Sequence, residues 1–234
     1  MPRNLLELCS AVARDSKTAV PNTIISNTEL EAVQLLQAAR STMKDLLIQV
    51  DWEELQKEAT ITTAASDADY ALPSDFNRII DETAWNVTNN DPMIGVTTAR
   101  EWQYLQNSST STSSVMDYYR IRGGEILIYP TPASVETLVY EYIANTPIES
   151  SGGTAQEDWL DDTDVPRVDD YLVELGIRWR FRKINGKPYQ EDLTEYNDIA
   201  RQRIMADGGR KKICAGPKRM RGVAVAYPEN VVAP

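Results

Sequence analysis

Histidine is absent from all 234 residues. That removes Ser-His-Asp and Cys-His nucleophile arrangements, histidine general bases and histidine metal ligands together. Cysteine is almost as scarce: Cys9 and Cys214 stand near opposite ends and make neither a disulfide framework nor a zinc pattern. A reducing compartment, such as a bacterial cytoplasm, is the expectation. No run of about 18 apolar residues occurs, so no membrane-spanning helix is expected. The opening stretch "MPRNLLELCSAVARDSK" has no continuous apolar core and does not read as a signal peptide. Phosphate-binding glycine loops are missing too: Gly186-Lys187 lacks the upstream glycine of a P-loop, and no G-x-G-x-x-G occurs.

Acid is what the chain has in plenty. The net charge is −11, from 35 Asp and Glu against 24 Lys and Arg. From Asp207 onward six basic residues face only Asp207 and Glu229, a local +4, so the preceding 206 residues carry −15. A uniformly acidic body argues against broad binding to a nucleic-acid backbone, which needs clustered cations. Paired carboxylates, as in glycosidases, remain a conceivable catalytic chemistry because acids abound. Abundance is not pairing, and a solvated acidic face is the simpler account, so the chain is read as a non-enzyme without cofactor. The densest run, "QEDWLDDTDVPRVDD", lacks the spaced ladder, central glycine and terminal Glu of a calcium loop. No metal site is expected there. The sequons at Asn86 and Asn107 have no meaning without secretion.

The periodicity predicts helix, helix, β insertion, helix, helix, arm. Leu5, Leu8 and Val12 mark a short amphipathic helix. Thr28 to Glu31 reads as a capping box before a long helix whose buried face is expected to hold Val33, Leu36, Met43, Leu46, Leu47 and Val50. Then the period changes. "ATITT" and "DYALP" are extended, Ile79, Thr83, Trp85 and Val87 alternate as in a strand, and Thr98 to Glu101 caps a short helix. "NSSTSTSS" (107–114) is a polar low-complexity loop. Gly123-Gly124 joins two β-rich runs as a tight hairpin, and a third strand places Leu138, Tyr140 and Tyr142 on one face. Eight acidic residues against one Arg over 149–170 read as a solvated linker hinged at Gly152-Gly153. Helix returns near Pro166 with the stripe Leu172, Leu175, Trp179. A last helix carries Tyr189, Leu193, Tyr196, Ile199 and Ile204, closed by Gly208-Gly209.

Helical stripes far apart in sequence can bury themselves only against one another, so the fold class expected is α+β. It is mainly a helical bundle with an inserted antiparallel β module and an extended C-terminal arm. The expected division is 1–57 for the N-terminal helices, 58–147 for the β module and 148–165 for the acidic linker. The C-terminal helices then take 166–207 and the basic arm 208–234.

Two features are candidates for function. Tyr118, Tyr119, Tyr129, Tyr140 and Tyr142 crowd the predicted strands, as packing pairs or, alternatively, as a stacking platform for bases. The arm is the stronger candidate. Arg210, Lys211, Lys212, Lys218, Arg219 and Arg221 fall within twelve residues, followed by β-prone Val223, Val225 and Tyr227. Such a segment can order against an acidic partner, pairing charge first and burying apolar side chains next. A plain disordered terminus is the alternative.

The motifs, taken in order, resemble a known family. They are W-x-x-L (Trp52 to Leu55), "ATITT", Y-x-L-P-x-D-F (Tyr70, Leu72, Pro73, Asp75, Phe76), a strand ending near Trp85, and G-G-x-I-x-I-Y-P from Gly123 and Gly124 to Pro130. This order is similar to the head-to-tail adaptors of tailed bacteriophages, the group that includes tail tubular protein A of short-tailed phages. The resemblance covers roughly residues 28–205 and implies a structural virion protein of the neck, assembled in the bacterial host. It implies a homo-oligomeric ring, typically a dodecamer, between the portal protein and tail, nozzle or tail-fibre proteins. It further implies that the C-terminal arm docks on the portal and that genomic DNA passes through the ring without sequence-specific binding. An acidic body suits such a channel because like charge repels phosphate. Another neck or tail-completion protein, or a nucleic-acid-binding protein using the basic tail, are the alternatives. For the Leu-Pro-x-Asp-Phe corner the expectation is a turn in which Asp75 bonds local backbone amides, with Phe76 and Trp85 buried beneath the β module.

Overall fold

A computed structural model describes residues 2–96, 98–107 and 116–206. Helix α1 (Leu5–Asp15) opens with a reciprocal capping box. Asn4 accepts the Glu7 amide at 2.9 Å, and the Glu7 carboxylate accepts the Asn4 amide at 3.1 Å. Helix α2 (Leu30–Gln49) has no such box, contrary to the reading of Thr28 and Glu31; Glu29 is its cap residue and makes no side-chain capping bond. The Glu29 amide is taken instead by the Asn27 side chain at 2.9 Å. The buried face of α2 also differs from expectation. It holds Ala32, Leu35, Ala38, Ala39, Thr42, Met43 and Leu46, while Val33 is exposed and Leu36 and Leu47 are half-buried.

The reason lies across the interface. Helix α4 (Asp170–Ile184) packs on α1, on α2 and on α5 (Gln190–Ala206). It approaches α2 at Gly176, so closely that a Cβ there would collide with the Thr42 methyl. Close helix approach needs small side chains at the contact, and the alanines of α2 supply them. Arg180 closes the same contact, bonding the Gly176 carbonyl at 3.0 Å, the Thr42 hydroxyl at 3.2 Å and the Asp45 carboxylate. On the other side Arg178 and Arg182 grip the buried Asp192 of α5 at 3.1 and 2.6 Å. Helix α4 starts at Asp170, not Pro166, because Asp169 caps it by accepting the Leu172 amide at 2.9 Å.

Between α2 and α4 lie twelve strands and one helix among the described residues, nine of the strands and the helix in the β module. After a single turn at Glu53–Leu55 come β1 (Gln56–Thr62), β2 (Asp69–Ala71), β3 (Phe76–Ile79), β4 (Trp85–Asn86), β5 (Asp91–Pro92) and β6 (Ile94–Gly95). Helix α3 (Ala99–Asn107), β7 (Tyr118–Arg122), β8 (Glu125–Tyr129) and β9 (Thr137–Ala144) follow. One sheet runs β1-β9-β4-β5 with β3 also on β9, and the other runs β2-β8-β7-β6. Pairing is antiparallel except for β6 with β7. The hairpin turn has φ +67° at Gly123 and +85° at Gly124, the two left-handed positions its tightness requires. Most of the loop expected at 107–114 lies outside the described residues.

Strand β9 is the wall between two cores. Leu138, Tyr140, Tyr142 and Ala144 point into the β module with Tyr119, Ile126 and Ile128. Ile143, of opposite parity, joins the helical core.

The expected solvated linker is overturned. Residues 148–166 form a small sheet of β10 (Ile148–Glu149), β11 (Ala155–Gln156) and β12 (Val165–Pro166), and both Ile148 and Trp159 are fully buried in the helical core. Its carboxylates act as acceptors. Asp162 takes the amides of Ile24 and Ile25, and Asp164 takes those of Leu160 and Asp161. The carbonyls of Asp164 and Asp162 take the Leu5 and Leu6 amides at 2.9 and 3.1 Å, two of the donors that the first turn of α1 leaves without helical partners.

Candidate interaction surfaces

The Leu-Pro-x-Asp-Phe corner joins β2 to β3, and Asp75, besides meeting its own backbone amide, reaches well beyond the corner. Its carboxylate accepts Lys57 Nζ from β1 at 2.6 Å and the Tyr142 hydroxyl from β9 at 2.9 Å. Burial opposes the Asp75 charge, but those two bonds and the nearby ammonium outweigh it, and the carboxyl sits below its usual range. Burial, together with that bond, pushes Tyr142 up to about 12. Phe76 is half-buried and stacks on Tyr142 with centroids 5.6 Å apart. Tyr70 closes its own loop, accepting the Ala64 amide and donating to the Asp67 carbonyl, both at 2.9 Å. Leu72 and Pro73 are half-buried.

Trp85 is 39% exposed and does not lie under the module. Adjacent strand residues face opposite sides, and the inward position in β4 goes to Asn86, which is fully buried. The Asn86 amide nitrogen donates to Asp117 and to Glu136, each at 2.7 Å. A polar residue with two carboxylate acceptors holds the place expected for the indole. Burial and the neighbouring Glu136 and Asp91 charges raise Asp117, against the pull of the Asn86 bond.

Two arginines bind the β module to the helices, and Trp52 fixes the chain where it leaves α2. Trp52 is buried and donates its indole N–H to the Leu46 carbonyl at 3.0 Å. Arg78 of β3 reaches the carbonyls of Leu47 and Val50 and the Asp51 carboxylate, a cation on the last orphan carbonyls of α2. Arg167 bridges the Glu54 and Thr146 carbonyls at 2.6 and 3.2 Å. Neither arginine was singled out from the sequence, since a carbonyl acceptor has no signature in residue type.

The tyrosines are packing residues. Tyr119, Tyr140 and Tyr142 are buried, and Tyr118 and Tyr129 are half-buried against a third small core around Trp102 of α3. No flat stack of exposed rings forms among the described residues. Cys9 is buried, and burial with the nearby Asp162 charge raises its thiol, so it is not poised to react. Among the described residues no group of three or more Cys, Asp or Glu is placed to hold a metal ion, and no helix is long and apolar enough to cross a membrane.

Among the exposed residues, two apolar groups stand out. Leu30, Val33 and Ile48 stand along one face of α2, with Leu30 71% and Ile48 66% exposed. Trp85 and Val87 stand on the outer face of the β1-β9-β4 sheet, beside the directly opposed carboxyl-bearing residues Glu58 and Glu141. The arm residues Arg210, Lys211, Lys212, Lys218, Arg219, Arg221, Val223, Val225 and Tyr227 lie outside the described residues, as do Gly208-Gly209 and Cys214. Their point of departure is described: Arg203, in the last turn of α5, pairs with Asp169 at 3.1 Å.

Against known proteins, the model of a family described as SU10 adaptor protein matches residues 3–220. The matched span takes in all the helices, both β-module sheets and the first part of the arm. No curated protein matches the chain.

Proposed function

We propose, from the premise that the chain belongs to the SU10 adaptor protein family and is a structural phage adaptor, that it forms a ring, twelve copies in the simplest case, between portal and tail. The helical halves 1–57 and 166–207 make the ring wall in this reading, the module 58–147 faces the tail or nozzle proteins, and the arm 208–234 docks on the portal. The channel is lined by the acidic body, which DNA passes without adhering because like charges repel. The virion neck is then its location, and the portal and tail proteins are its partners.

One observation carries the reading: the matched family span joins a −15 body to a basic arm in a single chain. A cation-rich segment at the end of an acidic body favours docking on an acidic neighbour over adhesion to the DNA phosphates that the body repels. The apolar residues left open on α2 add surface of the sort that subunit contacts cover. Native mass spectrometry of the full chain, alone and mixed with its portal, tests this. Ring species in either sample support it; a strict monomer in both overturns it.

A further inference from the structure

The C-terminal end of α5 lies over the N-terminal end of α4, where Arg203 meets Asp169. Beside that ion pair is a groove of about 560 Å³ between Pro2, the β10–β12 sheet and the first residues of α4. Pro2, Val165, Pro166 and Val168 supply its apolar lining, and Glu54, Glu149, Asp169 and Asp170 its acidic rim. The rim already collects cations from the chain's ends: Arg3 binds Asp170 at 3.0 Å and also Glu174, and Arg203 binds Asp169. Glu149 has no cationic partner among the described residues. Arg167 also lines the groove, but its guanidinium is spent on two backbone carbonyls.

Helix α5 ends at Ala206, three residues past Arg203. Four further residues bring the chain to Arg210, a reach of roughly 14 Å when extended. "RKKI" (Arg210 to Ile213) then supplies three cations and one branched apolar side chain. That is the complement of an acidic rim over an apolar floor.

We propose that this groove seats Arg210–Ile213 of the same chain. The seat anchors the root of the arm on its own body and leaves Lys218, Arg219, Arg221 and the residues beyond them to reach a partner. The arm thereby divides into a proximal anchor and a distal reach, residues 214–234, of 21 residues. This goes beyond docking on a portal and does not depend on it, because the contact is made by one chain alone.

Zero-length carbodiimide cross-linking of the full-length protein at low salt, without portal, tests it. Mixing isotope-labelled with unlabelled protein separates links within a chain from links between chains. Lys211 or Lys212 is expected to join Glu149 or Glu54 within one chain, at several times the yield of Lys218 with the same acids. The yield should fall steeply at about 0.5 M salt, where screening shortens to a few ångströms. A Glu54→Gln/Glu149→Gln variant with unchanged melting should be cut by trypsin after Arg210, Lys211 and Lys212 at least about five times faster than wild type. Links spread evenly over the acidic surface, links only between copies, or an unchanged cleavage rate in the variant would each overturn the proposal. Ring formation is read separately, so failure here leaves the adaptor reading intact.

Discussion

The helical core and the β module are held together in different ways. In the helical core, charge is internal: three arginines of α4 at alternate positions, Arg178, Arg180 and Arg182, reach carboxylates on α2 and α5 around a contact made close by Gly176. In the β module the interior is aromatic, and its carboxylates outnumber the cations near them. Asp75 has Lys57, but Asp117 and Glu136 share a single amide from Asn86. Arginine pairs fix helix register at several points at once, whereas the module depends on strand parity and on one wall, β9. The helical part is thus the better specified frame, and the module is the part free to vary its outward face.

Four measurements would break or sharpen this contrast. The largest effect is expected from Trp159→Ala, which empties a fully buried site in the helical core and should cost about 3–5 kcal/mol in chemical denaturation. If residues 148–165 were a solvated linker, the loss would be near zero. Phe76→Ala removes a half-buried ring from its stack on Tyr142 and should cost about 2 kcal/mol, less than a fully buried ring. Hydrogen exchange should show that loss in β1, β3 and β9 before the helices; uniform deprotection would mean the two cores unfold as one.

Gly176→Ala drives a methyl into Thr42 and is expected to cost about 1–2 kcal/mol despite alanine's better helix propensity. Thr42→Ser removes the colliding methyl and keeps the hydroxyl that Arg180 binds, so the double variant should recover most of the loss. No recovery would show that the approach of α2 and α4 is set elsewhere.

The smallest effect is electrostatic. The Asp117 carboxyl is raised in the folded protein, so the fold binds its proton more readily than the unfolded chain does. Its contribution is therefore present below its unfolded value and is lost as pH rises through the folded one. Asp75 is lowered and works the other way, with stability lost as pH falls through its folded value. Asp117→Asn should stabilise the protein at pH 7 by a few tenths of a kcal/mol, by removing a like charge beside Glu136 and Asp91. It should also flatten the stability profile on the acid side; a destabilised variant at neutral pH would contradict the assignment.

Much of the frame is legible in local patterns. Leu5, Leu8 and Val12 on one face, the Gly123-Gly124 hairpin, and the Leu138, Tyr140, Tyr142 face of β9 all agree with the periodicity, because each is a local repeat with a single burial partner. The misread positions share a cause. Thr28 is a good capping residue, but Asn27 one position earlier takes the amide that defines the start of α2. Trp85 is apolar enough for the core, yet strand parity gives the inner place to Asn86, whose amide two distant carboxylates satisfy. The acids of 148–165 look solvated until the amides of Ile24 and Ile25 are found against the Asp162 carboxylate.

Residue order alone determined the α+β plan, the separation of acidic body from basic arm and the likeness to phage adaptors, since periodicity, charge and short motifs are properties of neighbours along the chain. Which face of α2 turns inward and which carboxylates are structural were decided only by tertiary structure. Each depends on a partner more than a hundred residues away: Thr42 against Gly176, Ile24 against Asp162, and Arg3 against Asp170. Burial and hydrogen-bond satisfaction are pairwise quantities, and one member of a pair carries no record of the other.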